Sequence, residues 1–295
     1  YGSFNNKLND HMMRVISSSL VRHANPKFVA ILGDLIYNQF LRDDEFYHIT
    51  DRFQNVFAQH EGIKLVNISG NHDLGYGAEL QKRTMDRWEK LFGPVNSMFI
   101  EEGHIFGVLN GLALDGSKEP FFSDAWNHIK LLSETRRNTG LPLILFTHVP
   151  LHKPAYSCVG DAVPEVRKSR FAEGIGFQTH LTEETTLKIL NEMQPTLVFT
   201  GHDHDGCIFQ HNSQTTEYTI RAIQGDYGGY SAVLQITNKT EPSEFDYRVS
   251  IFPFFYTKVY LLIMIATIVW LICEIYVVWL VINGKAVIVR KKIIY

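Results

Sequence analysis

The sequence predicts an α/β domain, a two-sheet β-sandwich flanked by helices, followed by one C-terminal transmembrane helix. Short apolar runs of β type recur at 28–32, 63–68, 143–146 and 197–199, and each leads directly into a polar cluster. Segments around them carry apolar residues at helical spacing. From Val259 to Ile282 the residues are almost all Val, Ile, Leu, Ala, Trp and Tyr, about 24 positions that at ~1.5 Å each cross the ~30 Å of a hydrocarbon core. The chain has 295 residues and is 45% hydrophobic, so residues 1–250 suffice for one α/β domain of ordinary size.

Each element follows from its own residues. Leu8 to His23 carries helical spacing through Met12, Val15, Ile16 and Leu20, and Glu45 to Phe57 repeats it through Phe46, Ile49, Phe53, Val56 and Phe57. Met85 to Phe92 predicts a shorter helix, stopped by Gly93-Pro94. Alternation between Phe99 and Leu114 predicts strands of a second sheet, and Tyr218 to Ile236 reads the same way. Ala155 to Thr179, rich in Gly, Pro and charge, predicts a long loop near the polar clusters. No internal repeat or low-complexity segment is present, and a net charge of −3 leaves no basic footprint, which excludes nucleic acid as a partner class.

The four β runs end in Gly33-Asp34, Gly70-Asn71-His72-Asp73, Thr147-His148 and Gly201-His202-Asp203-His204. Four strands are thus expected to deliver metal-type ligands to one edge of a sheet. A carboxylate, an amide oxygen and several imidazoles form a hard-to-borderline set that holds Mn, Fe or Zn and leaves positions open for water and phosphate. Two divalent ions about 3.5–4 Å apart activate a water and neutralise the oxygens of an in-line displacement at phosphorus. Phosphoester hydrolysis is the chemistry expected. Taken singly the pieces are weak, because a lone Gly-Asp usually marks a turn and a lone His at a strand end is usually a hydrogen-bonded structural residue.

The ordered set is specific: over residues 25–235 it resembles the calcineurin-like metallophosphoesterases. That resemblance implies a dinuclear centre, with Mn²⁺ as the metal and Zn²⁺ or Fe as alternatives. It implies that Asp34 bridges both metals, that Asn71, His148 and His202 serve the second, and that His204 serves the first. His72 matches the position that approaches the phosphate as general acid or charge stabiliser, and Asp73 would orient its ring by a hydrogen bond. Asp73 reads equally as a helix N-cap or turn residue. The family's first strand normally ends in Asp-x-His, and nothing in Tyr1 to Leu20 matches it. The expectation is that this strand precedes Tyr1 in the complete protein; were Tyr1 the true start, the first metal site would be crippled and the protein a pseudoenzyme.

Beyond the apolar segment, Lys285, Arg290, Lys291 and Lys292 outweigh Lys258 and the more distant Arg248, so residues 283–295 are expected on the cytoplasmic side and the main domain in the lumen. Glu274 alone interrupts the span, either as a partner for another segment or near the interface. Asn238-Lys239-Thr240 is a glycosylation sequon suited to the lumenal side, whereas Asn67-Ile68-Ser69 falls in a strand and should be buried. Lys291-Lys292 resembles a displaced dilysine retrieval signal. With Cys273 in the span, Cys158 and Cys207 are expected on the metal-bearing edge, joined as a disulfide in an oxidising lumen or otherwise two small buried residues.

Gly-Asn-His-Asp-Leu-Gly-Tyr at 70–76 and the segment 109–115 resemble the membrane-tethered branch of this family that remodels glycosylphosphatidylinositol (GPI) anchors. The resemblance implies an endoplasmic reticulum or early Golgi glycoprotein that removes an ethanolamine-phosphate side group from a mannose of the anchor glycan. Its substrate would be GPI-anchored proteins or the GPI glycolipid. Asp115, Asp161, Asp226 and Tyr227 could recognise the ammonium group or the glycan, or be turn residues. A membrane-bound phosphoesterase acting on a nucleotide, lipid head group or phosphoprotein, and a non-catalytic adaptor in cargo export, are the alternatives.

Overall fold

The computed structural model describes residues 3–57, 62–154, 157–158, 178–223, 230–238, 244–253 and 256–284. The chain forms two units, Tyr1–Phe254 and Phe255–Tyr295. The first opens with α1 (Ser3–Ala24), β1 (Phe28–Ile31), α2 (Asp43–Phe57), β2 (Lys64–Asn67), the single turn α3 (Asn71–Leu74) and α4 (Lys82–Phe92). It continues through β3 (Ser97–Glu101), β4 (His104–Leu109), α5 (Phe121–Thr139), β5 (Leu143–Thr147), α6 (Glu183–Met193) and β6 (Leu197–Thr200). Four strands complete it: β7 (Cys207–Gln210), β8 (Thr216–Thr219), β9 (Tyr230–Asn238) and β10 (Phe245–Pro253).

Six strands form one sheet in the order β3-β4-β5-β6-β8-β7, with β4, β5, β6 and β8 parallel and both edges antiparallel. Strands β1 and β2 pair in parallel as a separate sheet, and β9 and β10 form an antiparallel pair. The ligand-bearing strands are therefore divided between two sheets instead of sharing one edge. Nor do β3 and β4 belong to a second sheet, since they extend the sheet that contains β5 and β6. The continuous apolar character of β4, β5 and β6, every residue of which is buried, is that of central parallel strands covered on both faces. The stretch from Tyr218 to Ile236 also splits, its start in β8 and its end in β9.

Alternate residues of these strands serve two cores. Phe106, Val108, Ile144, Phe146, Leu197 and Phe199 face an inter-sheet core shared with Val66 and Ile68, against which Phe28, Ala30, Leu234 and Val249 pack. Phe28 meets Phe99, Phe106 and Phe146 edge-on, with ring centroids 5.2, 4.9 and 6.2 Å apart. Ile105, Leu143, Leu145 and Val198 point the other way, into a core built with Phe46, Trp88, Ile129, Leu132, Ile189 and Met193 of the helices. Gly93, at φ 96°, caps α4 as its sequence position predicts, and Gly140, at φ 70°, caps α5. Helix α5 escaped sequence reading although Ala125, Ile129 and Leu132 carry its buried stripe at helical spacing.

One buried ionic cluster fastens the chain beyond β5 to β8. Lys153 Nζ donates to Glu217 Oε1 at 2.7 Å and to Thr219 Oγ1 at 3.1 Å, while Thr200 Oγ1 and His211 Nε2 also donate to the Glu217 carboxylate. Burial pushes the Glu217 carboxyl up, but Lys153 and His211 outweigh it and hold it below the usual range. Cys158 and Cys207 form the expected disulfide, with Cα atoms 5.3 Å apart, and join the same region to the start of β7. In the first sequon Ile68 and Ser69 are buried, whereas Asn67 itself is half-buried, its side-chain amide donating to the Phe92 carbonyl at 3.3 Å. The second sequon begins at exposed Asn238, while Lys239 and Thr240 lie outside the described residues.

The second unit contains α7 (Tyr256–Ile282), whose stretch Tyr260–Ile282 is long and apolar enough to cross a membrane. Cys273 is exposed along it, and the dilysine pair lies outside the described residues.

Lys153→Met strands the buried Glu217 charge and should lower the unfolding free energy by about 3–5 kcal/mol, whereas Lys153→Met combined with Glu217→Leu should recover most of that loss. Urea titration reads both, and equal losses in the single and double variants would contradict the ion-pair account. Because the native Glu217 carboxyl sits below its unfolded value, its stabilisation is present above the ordinary Glu range and lost as pH falls through the lowered value.

Candidate metal centre

The loops after β1, β2, β5 and β6 meet at one rim. Ligand atoms of Asp34, His148 and His202 all lie within 4.8 Å of one another. Asn71 joins them, its Oδ1 3.1 Å from His148 Nε2, and Asp34 Oδ1 lies 3.4 Å from the same nitrogen. Sequence thus assigned Asp34, Asn71, His148 and His202 to a cluster that the fold assembles from two sheets.

The tautomers follow from the bonds, since a carbonyl oxygen only accepts. His148 Nδ1–H donates to the Leu32 carbonyl at 2.6 Å, and His202 Nε2–H donates to the Gln178 carbonyl at 2.7 Å. In the neutral rings His148 Nε2 and His202 Nδ1 therefore carry the lone pairs. Asp34 Oδ1, Asn71 Oδ1 and His148 Nε2 are then three electron-pair donors turned on one another. A divalent cation satisfies such a set, and ring N–H bonds to carbonyls are the usual support of metal-bound histidine.

Charge tells the same story. Burial pushes the Asp34 carboxyl up, but the charge and hydrogen bond of His148, aided by His72, hold it well below the carboxylate range. Burial lowers His148, yet Asp34 and the Leu32 carbonyl raise it by more, so its surroundings favour positive charge at this position. Burial and the nearby His148 bring His202 down to about 3, which keeps it neutral, as a ligand must be.

Backbone geometry makes the approach possible. Asp34 and His202 adopt left-handed φ values of 55° and 64°, uncommon for residues with side chains and typical of places where structure over-determines a strained position. A Cβ on Gly33 would overlap the His148 ring, and one on Gly70 would overlap both the Asp34 carboxylate and its amide. Asp34 Oδ1 also accepts the His72 backbone N–H at 2.9 Å, which ties the first loop to the second.

One expected role changes. Asp73 does not orient the His72 ring. Its fully buried carboxylate accepts the Gly70 amide and the Ile36 amide, both at 2.7 Å, so its oxygens are engaged in capping α3 and pinning the first loop. The His72 ring instead donates Nδ1–H to the Tyr37 carbonyl at 3.1 Å, and the side chain is exposed beside Asp34. His204 lies outside the three-residue cluster; it is exposed, yet close enough for the Asp34 charge to oppose the lowering that burial imposes. Asp203 beside it accepts the Asp205 amide in a turn. Asp161, Asp226 and Tyr227 lie outside the described residues, as does most of the loop predicted at 155–179. Sequence reading missed Leu32, Tyr37 and Gln178, which act through main-chain carbonyls and so leave no side-chain signature.

A model described as calcineurin-like phosphoesterase matches residues 6–206. The chain belongs to this family. It therefore carries a metal-dependent phosphoesterase domain of the mixed α/β type, in a family that works with a dinuclear divalent centre. The chain is 32% identical over 250 residues to an uncharacterised protein of Schizosaccharomyces pombe, an alignment covering 69% of this chain and 56% of that protein. It is 24% identical over 364 residues to Protein TED1 of Saccharomyces cerevisiae, covering 88% and 76% respectively. Metallophosphoesterase 1 of Macaca fascicularis is 28% identical over 215 residues, covering 66% of this chain and 53% of the relative. The chain thus spans about half the length of two of these three relatives.

Gly70→Ala places a methyl group where the Asp34 carboxylate sits and should weaken Mn²⁺ binding by about tenfold or more, the scale on which misplaced metal ligands act. Calorimetric titration measures this, and unchanged affinity would show that the Gly70–Asp34 contact does not shape the site.

Proposed function

We propose that this protein is a membrane-anchored phosphodiesterase that removes ethanolamine-phosphate from a mannose of GPI-anchor glycans, with Mn²⁺ as its metal. The convergence of Asp34, Asn71, His148 and His202 carries the hydrolytic part of this reading. The resemblance of segments 70–76 and 109–115 to the anchor-remodelling branch supports the substrate, and the relatives' name Metallophosphoesterase 1 is in keeping with the chemistry.

When bound, divalent cations supply neutralising charge at the phosphoryl oxygens and an activated water. Asp34, Asn71, His148 and His202 would hold the second metal, and the Asp34 carboxylate would serve both. His204 would serve the first metal. His72 supplies a proton at Nε2 to the leaving oxygen: its Nδ1–H is committed to the Tyr37 carbonyl, so Nε2 is the nitrogen that gains and loses a proton. Asp73 serves His72 indirectly, because its bonds to the Gly70 and Ile36 amides fix the turn that presents the ring.

Helix α7 would span the endoplasmic reticulum or early Golgi membrane, with the phosphoesterase domain lumenal and the basic tail cytoplasmic. The Cys158–Cys207 disulfide is in keeping with an oxidising lumen. Tethering enzyme and glycolipid to one membrane raises the effective concentration of each for the other.

His72→Gln should lower kcat on a model phosphodiester by about 10²–10⁴-fold while leaving Mn²⁺ affinity in place; parallel losses of both would remove the proton-donor role. Cells whose sole copy carries Asp34→Ala or His148→Ala should retain ethanolamine-phosphate on their anchor glycans, as read by mass spectrometry of released glycans. Glycans identical to those of wild-type cells would exclude the proposed substrate.

A further inference from the structure

His202 is oriented by the main chain, and the main chain there is held by a residue on the far side of β5. Gln178, whose carbonyl accepts the His202 N–H, is 2% exposed, and its side-chain Nε2 donates to Asp115 Oδ2 at 3.1 Å. Asp115 lies just beyond β4, after the 3-10 turn Gly111–Ala113. Its carboxylate also accepts the Thr182 amide at 2.8 Å, the Thr182 hydroxyl at 3.0 Å and the Thr185 hydroxyl at 2.6 Å. Four donors fill the acceptor capacity of a carboxylate, and this one is itself buried, so Asp115 has nothing left for a substrate ammonium group or glycan hydroxyl.

We propose that Asp115 is a positioning residue of the metal centre: through Gln178 it sets the ring orientation of His202 and hence the direction in which Nδ1 offers its lone pair. The inference rests on the metal-centre reading above. Two features of the geometry support it. First, the Gln178 side chain that bonds Asp115 and the carbonyl that accepts from His202 belong to one residue, so the bond to Asp115 fixes where that carbonyl stands as the chain approaches α6. Second, the bonds divide by purpose. The Thr182 and Thr185 bonds secure the start of α6, whereas the Gln178 bond leads to His202. An ionised carboxylate suits this junction because Oδ2 accepts from both Gln178 and the Thr182 amide, and an amide nitrogen in its place would oppose two donors. The Leu181 amide donates independently to the Pro150 carbonyl at 2.8 Å, so the segment stays attached when the Gln178 side chain is removed.

The test compares Gln178→Ala and Asp115→Asn with Thr185→Val in the full chain, by calorimetric Mn²⁺ titration, visible absorption of the Co²⁺-loaded protein and thermal unfolding without metal. Gln178→Ala and Asp115→Asn should weaken Mn²⁺ binding by about 10–100-fold and alter the Co²⁺ spectrum, as loss of a ligand's support does. Thr185→Val should lower the unfolding temperature and leave both metal readouts in place. Mn²⁺ affinity of Gln178→Ala within about twofold of wild type, with an unchanged Co²⁺ spectrum, would overturn the proposal, and this variant decides the matter even where Asp115→Asn fails to fold. Wild-type protein that binds no Mn²⁺ would instead sink the metal-centre reading itself, and this inference with it.

Discussion

The centre depends on one hydrogen bond across the sandwich, from His148 Nδ1–H at the end of β5 to the Leu32 carbonyl at the end of β1. It joins the six-stranded sheet to the small parallel sheet at the rim where their loops meet. It also sets the His148 tautomer, so that Nε2 faces Asp34 and Asn71. Further links bind the same loops: the Gly201 amide donates to the His148 carbonyl, and the His72 amide to Asp34. Such close approach requires that Gly33 and Gly70 lack side chains.

The site is a convergence of electron-pair donors. Asp34, Asn71, His148 and His202 turn donor atoms inward, and Asp34, His148 and His202 are held by bonds to the His72 amide, the Leu32 carbonyl and the Gln178 carbonyl. The inter-sheet aromatics and the Lys153–Glu217 pair lie behind this rim and keep the two sheets and the post-β5 chain in register. Buried ion pairs contribute little net stability compared with apolar replacements, and Lys153 and Glu217 link the chain after β5 to β8.

Much of this was legible in the sequence, for a physical reason. Ligand side chains follow directly on buried apolar strands, so periodicity located Asp34, Asn71, His148 and His202, and the redox argument located the Cys158–Cys207 bond. Sheet membership was not legible, because alternation in β3 and burial in β4 describe exposure of a strand and not its neighbour. Helices α5 and α6 were missed although α6 carries Thr182 as a capping residue that accepts from the Thr185 amide. Asp73 shows the limit most plainly: a carboxylate beside a histidine in sequence serves backbone amides in space, while a carbonyl from Tyr37 orients the ring. Carbonyl partners such as Leu32, Tyr37 and Gln178 are invisible to any reading of side-chain types.

Anomalous diffraction from crystals of the Mn²⁺-loaded protein tests the central claim most directly. The account predicts a manganese peak within bonding distance of an Asp34 carboxylate oxygen, Asn71 Oδ1, His148 Nε2 and His202 Nδ1, with the His148–Leu32 bond intact. A peak bound elsewhere, or a metal that meets His148 through Nδ1 with the Leu32 bond broken, would contradict it.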